Sequence, residues 1–257
     1  MLKGLDGKRV LITGAAGNIG LETVDRLVAE GARVVASDIN ANALADIAAK
    51  YGERVTTVAG DVGTSAGAAA AVAAGAAFGG LDMAFVNAGV ECVSAPISEF
   101  DPAEFDRVFH VNVKGAFLTA QAMVRHLTGE SRPGAVLFTA SIAGLQGSPM
   151  TSIYNASKSA VIGIARSLAL EVGALGIRVN TLCPGPVASR MMTSLEDSIA
   201  AITGMAGADI RAHLQATAAT GRYATPTEVA SMAAWILSDE VPYCHGEVFT
   251  VTGGMLR

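Results

Sequence analysis

Tyr154 and Lys158 stand four residues apart in Tyr154-Asn-Ala-Ser-Lys158, a spacing that puts both side chains on one face of a helix. An ammonium beside a phenol favours the phenolate, and any further positive charge nearby adds to that effect. A tyrosine with a solution pKa of about 10 then becomes a usable acid/base. Ser141, at the end of the apolar run in "FTASIAG", adds a neutral hydroxyl suited to holding a carbonyl or alkoxide oxygen. Alone, a tyrosine and a lysine on a helix are ordinary surface, so their meaning depends on the rest of the chain.

A second stretch, "ITGAAGNIG" from Ile12 to Gly20, follows an apolar run and precedes a helical pattern, as a phosphate-cradling loop does. The strict G-x-G-x-x-G fingerprint is absent. Gly14 and Gly20 nevertheless supply a tight turn and close helix packing, Gly17 adds slack, and Asn18 stands where a positive φ or a close backbone approach is expected. Asparagine enters that conformation more readily than most residues. Asp38, about twenty residues on, ends the next apolar run, where a carboxylate accepts hydrogen bonds from the ribose of a bound dinucleotide. Neither Gly17 nor Ile39 and Asn40 supplies a cation for a 2′-phosphate, and Asp38 would repel one. NAD rather than NADP is the expected cofactor. The same position would also suit an N-cap for a helix from Asn42.

The elements that must hold these residues alternate. Lys8–Thr13, Arg33–Asp38, Val55–Val58, Met83–Val86, Ala135–Thr139, Arg178–Leu182 and Glu247–Val251 read as short strands. Helical patterns fall over Ile19–Glu30, Asn42–Tyr51, Glu104–Leu127, Tyr154–Leu175 and Pro226–Leu237, with an Ala-rich helix near residues 68–71. Continuous apolar strands are buried on both faces. The pattern therefore predicts an α/β fold: a Rossmann-like, doubly wound parallel sheet covered by helices on both sides, in a single domain over 1–257. Residues 189–225 break the rhythm. Methionine-rich (Met191, Met192, Met205) and weakly helical, they predict a mobile cover over a site.

With 257 residues, 51% hydrophobic and 16% charged, the chain can bury one large core. A net charge of −5, with scattered Lys and Arg, argues against a nucleic-acid surface and for a small-molecule partner. Cys92, Cys183 and Cys244 are too unevenly spaced for a disulfide framework or a metal cluster, and His110, His126, His213 and His245 show no metal-ligand spacing, so no metal is expected. The uncharged Val62–Leu81 stretch is mostly Ala and Gly, with too little apolar area for a membrane span. The amino terminus lacks the apolar core of a signal peptide, and a cytoplasmic location is expected.

Taken together, "TGAAGNIG", "SDI", "GDV", "VNAG", "HVNVKGAF", Ser141, "YNASK" and "NTLCPGPV" resemble the short-chain dehydrogenase/reductase family, from Lys8 to Gly254. The resemblance implies that Tyr154 is the general acid/base, that Lys158 lowers its pKa and holds the nicotinamide ribose, and that Ser141 orients the substrate oxygen. It implies that Asn112 bends its helix and positions a water relaying protons from Lys158. Gly14, Gly17, Asn18, Ile19, Gly20, Asp38 and Ile39 would line the pyrophosphate and ribose, with Asp61 and Val62 on the adenine. Asn87, Ala88 and Gly89 would form the cofactor floor, and Pro184, Gly185, Val187 and Ser189 would border the nicotinamide. Asn18 replaces the family's middle glycine, and Thr252 replaces a common aspartate before Gly253-Gly254. Family members usually form tetramers through the helices after Glu104 and Tyr154 and the final strand, which implies a homotetramer here.

The reaction implied is hydride transfer between an alcohol or ketone carbon and the nicotinamide, with the protein supplying orientation and proton handling. Glu91, Cys92, Val93, Ile142, Gln146, Met150, Met191 and Met192 are the expected pocket residues. Mostly apolar and without a cationic cluster, they favour an uncharged secondary alcohol, with cyclic alcohols and polyols as candidates and Glu91 or Gln146 able to bind a second hydroxyl. Glu91 also reads as a solvated loop residue. Two alternatives are an NADPH-dependent biosynthetic ketoreductase, opposed by Asp38, and a catalytically silent dinucleotide-binding subunit, opposed by the intact tetrad of Asn112, Ser141, Tyr154 and Lys158. The Tyr–Lys spacing argues against enoyl reduction.

Overall fold

Residues 1–255 are described by a computed structural model. Seven strands, β1 (Arg9–Thr13), β2 (Arg33–Asp38), β3 (Val55–Ala59), β4 (Met83–Val86), β5 (Gly134–Thr139), β6 (Ile177–Pro184) and β7 (Val248–Val251), lie parallel in one sheet in the order β3-β2-β1-β4-β5-β6-β7. In the central strands β1, β2, β4 and β5 the side chains alternate between two cores, which is why these strands read as apolar runs, whereas the edge strands β3 and β7 are only partly buried. Val10 and Ile12 face one core with Val24 and Leu27 of α1 (Asn18–Ala29) and Val229 and Ala233 of α9 (Pro226–Leu237). Leu11 faces the other with Met123 and Leu127 of α5 (Ala116–Gly129) and Val161 of α6 (Ser152–Val172).

The strand order reverses between β1 and β4, and in such a sheet ligands bind outside the carboxyl ends of the strands at this switch point. Thr13 joins the two strand ends: its hydroxyl accepts hydrogen bonds from the amides of Asn87 (3.0 Å) and Ala88 (3.1 Å). Gly14 has φ +65°, and a Cβ there would lie 2.8 Å from the Ala88 Cα. Both the conformation and the close approach require glycine.

Three expectations are corrected. The helix expected over Glu104–Leu127 is α4 (Pro102–Phe109) and α5, separated by a π-helical turn at His110–Gly115 that contains Asn112. Such π turns concentrate at functional sites. The cover expected to be weakly helical contains α7 (Arg190–Thr203) and α8 (Gly207–Ala216). Ser189 caps α7, its hydroxyl accepting from the Met192 amide, and this cap supports a helix in a stretch of modest propensity. Finally, Asp38 does not cap α2 (Ala41–Tyr51): the Asn40 side chain does, accepting from the Ala43 amide.

The Ala-rich α3 (Ser65–Ala73) is nine residues long, with Ala68, Ala71 and Val72 buried. Among the described residues no helix is long and apolar enough to cross a membrane. Trp235 on α9 meets Phe249 on β7 edge to face, ring centroids 6.0 Å apart, against the core.

Candidate active site

Tyr154 and Lys158 lie on the first turns of α6, beside the carboxyl ends of β4 and β5. Lys158 is buried, with Nζ 5.6 Å from the centre of the Tyr154 ring and 3.1 Å from the Thr139 carbonyl oxygen to which it donates. Burial pulls the ammonium's pKa down to about 8. Burial also pushes the Tyr154 phenol up to about 12, with the Ser141 hydroxyl opposing the rise and the Glu91 carboxylate adding to it. The expected fall of the tyrosine's pKa is thus not produced by the chain's own groups. Tyrosine and lysine share one poorly hydrated pocket, where each resists its own charge.

Asn112 is buried in the π turn and spends its amide on its neighbours. Oδ1 accepts from the Val90 amide at 2.8 Å; Nδ2 donates to the Val90 carbonyl at 2.9 Å and to the Ser157 hydroxyl at 3.0 Å. It thereby ties the loop after β4 to α6. A Cβ on Gly89 would lie 3.2 Å from Lys158 Nζ and 3.3 Å from Asn112 Oδ1. Glycine leaves the backbone open beside the tetrad at this point.

Around the glycine loop, Asn18 departs from its expected conformation: it is the first residue of α1, while Gly17 caps the helix from an extended backbone. No positive φ is needed, so no glycine is needed there. Gly20 is the indispensable one: a Cβ would fall 2.1 Å from the Gly14 carbonyl oxygen. Asp38 braces the loop, Oδ2 accepting from the Ala16 amide at 2.9 Å and Oδ1 from the Asn40 amide at 3.0 Å. Each oxygen keeps a lone pair that can accept from a ribose hydroxyl. The loop, Asp38 and the open Gly89 backbone follow the carboxyl ends of β1, β2 and β4 and fit a nicotinamide dinucleotide in chemistry and order.

Asn87 donates to the Thr13 and Gly14 carbonyls and accepts from the Thr139 hydroxyl, so its side chain braces the floor from below. Asp61 accepts from the Gly63 amide and lies 2.8 Å from His110 Nε2, a contact that holds its pKa below the usual carboxylate range. The sequence reading assigned His110 no role. Only the fold brings it to Asp61, because 49 residues separate the two.

The loop after Gly89 is held residue by residue. Arg107 donates to the Glu91 carbonyl, Glu104 accepts from the Val93 amide, Ser198 of α7 accepts from the Ser94 amide, and the Met150 carbonyl accepts from the Ala95 amide. Arg107 and Glu104, also paired with each other, were missed as pocket supports; their helical i,i+3 spacing was the available signal. Met150 has φ +66°, a strained conformation for its residue type that occurs preferentially at functional sites. Glu91 is half-buried near Tyr154, whereas Gln146 and Val93 are exposed. Cys92 is corrected from a pocket-lining residue to a backing one: it is 3% exposed and packs with Val108, Ile153 and Tyr154, its thiol pKa raised by burial. Ile142 is buried as well.

The cover is latched by Glu196, a buried carboxylate on α7 that accepts from Arg211 of α8 and, at 2.8 Å, from the Tyr223 hydroxyl. Ser189, while capping α7, keeps its own O–H as a donor. Met191 and Met192, on the first turn of α7, are half-buried.

A family model described as Enoyl-(Acyl carrier protein) reductase matches residues 14–256. The chain is 35% identical to a 2,5-dichloro-2,5-cyclohexadiene-1,4-diol dehydrogenase of Sphingobium indicum, over 97% of each chain. It is 32% identical to the galactitol 2-dehydrogenase of Agrobacterium fabrum, over 97% of this chain and 98% of that one. Among solved structures, an NAD+-bound xylitol dehydrogenase superposes with a TM-score of 0.93 at 30% identity, covering 98% of this chain and all of that one.

Proposed function

Because the chain belongs to the short-chain dehydrogenase/reductase family and is an oxidoreductase acting between secondary alcohols and ketones, we propose that it uses NAD, with Tyr154 as general acid/base. The observation that carries the cofactor choice is Asp38: its carboxylate braces the loop through Oδ2, holds the Asn40 amide through Oδ1, and meets no cation among the described residues. A 2′-phosphate would face uncompensated like charge.

A bound nicotinamide dinucleotide supplies the hydride acceptor and, when oxidised, a positive charge. Tyr154 takes the proton from the substrate hydroxyl during oxidation and returns it during reduction. Ser141 holds the same oxygen, and the Lys158 ammonium offsets the phenolate charge and would hold the nicotinamide ribose. Asn112 keeps the loop after β4 against this group and positions the proton relay from Lys158. The four-residue step between Tyr154 and Lys158 favours carbonyl reduction over the enoyl reduction named in the family model's description.

The substrate we favour is an uncharged secondary alcohol, cyclic or polyol, with its second hydroxyl near Glu91. The diol, galactitol and xylitol dehydrogenases among the relatives support that class. The test is NADH formation with a panel of secondary alcohols, cyclic alcohols and polyols, with NAD and NADP in parallel. We expect turnover with NAD, at a kcat/KM about a hundredfold above that with NADP. Equal turnover with NADP overturns the cofactor choice, and turnover of acyl-carrier thioesters alone overturns the substrate class. Silence with measurable NADH binding would point to a redox-silent subunit.

The same proposal includes a homotetramer in the cytoplasm. Phe117 on α5 is 48% exposed and Leu170 on α6 is 90% exposed, apolar area that a subunit contact would cover. The cytoplasm suits three unpaired cysteines. Sedimentation should give four times the 26.0 kDa chain mass; a monomer would overturn the tetramer.

A further inference from the structure

The glycine loop carries no cation between Thr13 and Gly20, yet it faces the site of two phosphates. It offers backbone N–H groups and the start of α1, which neutralise charge only in part. Asn18, the residue that departs from the family pattern, has its side chain exposed at the mouth of this loop. Its Oδ1 accepts the backbone N–H of Arg190 at 3.3 Å. The lid helix α7 therefore begins against the phosphate loop, and a glycine at position 18 could not make that bond.

The start of α7 is also fixed from other sides. Val187 bridges to Ala224, with Ala188 donating to the Ala224 carbonyl and Ala224 to the Pro186 carbonyl. Ser189 caps the helix, and the Glu196 latch holds its middle to Arg211 and Tyr223. Arg211 and Arg222 are each paired to a glutamate. The Arg190 guanidinium, by contrast, is exposed and makes no hydrogen bond or ion pair among the described residues. A fixed main chain thus anchors Arg190, with its cation unspent, beside the loop where a pyrophosphate is expected.

We propose that Arg190 binds the pyrophosphate of the dinucleotide, and that Asn18 is the positioning residue that docks the lid helix carrying it onto the phosphate loop. The inference rests on the dinucleotide-binding reading above. Asparagine at position 18 thereby exchanges the family's glycine for a contact between loop and lid. Arginine suits the task because its planar fork meets two phosphate oxygens at once.

The test is equilibrium binding, read by NADH fluorescence, with ADP-ribose and adenosine as competitors. Arg190→Met, Asn18→Gly and the double variant are compared with the unaltered chain at low and high salt. We expect R190M to weaken NADH and ADP-ribose binding about tenfold, to leave adenosine unchanged, and to flatten the salt dependence. N18G should weaken NADH and ADP-ribose about threefold and add little to R190M, since it acts through Arg190. R190M binding like the unaltered chain overturns the arginine's role. Fully additive losses in the double variant overturn the Asn18 coupling. Equal losses for adenosine and ADP-ribose also overturn the proposal, because they place the effect away from the phosphates. Failure of the unaltered chain to bind NADH or ADP-ribose would instead remove the dinucleotide reading itself. Arg190 is exposed, so R190M tests the proposal without loss of a core contact.

Discussion

Replacing Tyr154 by phenylalanine is expected to lower kcat for alcohol oxidation by about a thousandfold or more, within the range of a lost general acid/base, while the Kd for NADH changes by less than about threefold. The ring stays in place in the variant: it packs with Cys92, Val108 and Ile153 and under Lys158, none of which involves the hydroxyl. Loss of turnover with binding intact therefore isolates the proton transfer. In the unaltered chain the phenol is pushed up to about 12 without a bound dinucleotide, so kcat/KM for oxidation should climb with pH through the neutral range. Activity in Y154F above about a tenth of the unaltered level would remove Tyr154 from the chemistry.

The second large effect is a divergence between stability and activity at Lys158. Burial holds its pKa at about 8 in the folded chain, against about 10.4 in an unfolded one. Below about pH 8 the fold carries a buried ammonium at full cost. Between about 8 and 10.4 the unfolded state binds a proton that the folded state has released, so stability from this group rises with pH across that window. A Lys158→Met variant should therefore lose nearly all turnover yet unfold later at pH 7, by on the order of 2 kcal/mol, and the gain should fade towards pH 10. The Thr139 carbonyl that Lys158 now satisfies loses a donor in the variant, which sets that figure below the full pKa shift. Thermal melts at pH 7 and pH 10 measure both arms. A variant less stable than the unaltered chain at pH 7 would mean that the ammonium supports the fold.

Such a trade, stability given up at a site that chemistry needs, also marks the boundary of what the primary structure conveys. Period and composition were enough for the sheet and for five of its covering helices, because a strand buried on both faces must be apolar throughout and a helix must place its apolar residues every third or fourth position. Tyr154 and Lys158 were legible for the same reason: their relation is local, four residues on one helix. Gly14 and Gly20 were legible because few residues other than glycine tolerate such a turn and such a close approach. The cover over 189–225 was read as weakly helical because what stabilises it is not local: the buried Glu196 is satisfied by Arg211 and Tyr223, 15 and 27 residues away.

The same distance in sequence hid the partnership of Asp61 with His110, the pinning of Val90 by Asn112, and the contact of Asn18 with Arg190 across 172 residues. The primary structure by itself determined the fold class and pointed to the proposed acid/base pair and to the carboxylate proposed to select the cofactor, since each follows from residue type and short-range spacing. Tertiary structure alone decided the ionisation of that pair and the neighbours of each site residue. A pKa depends on how much water the fold removes, and a contact depends on which distant segments it brings together.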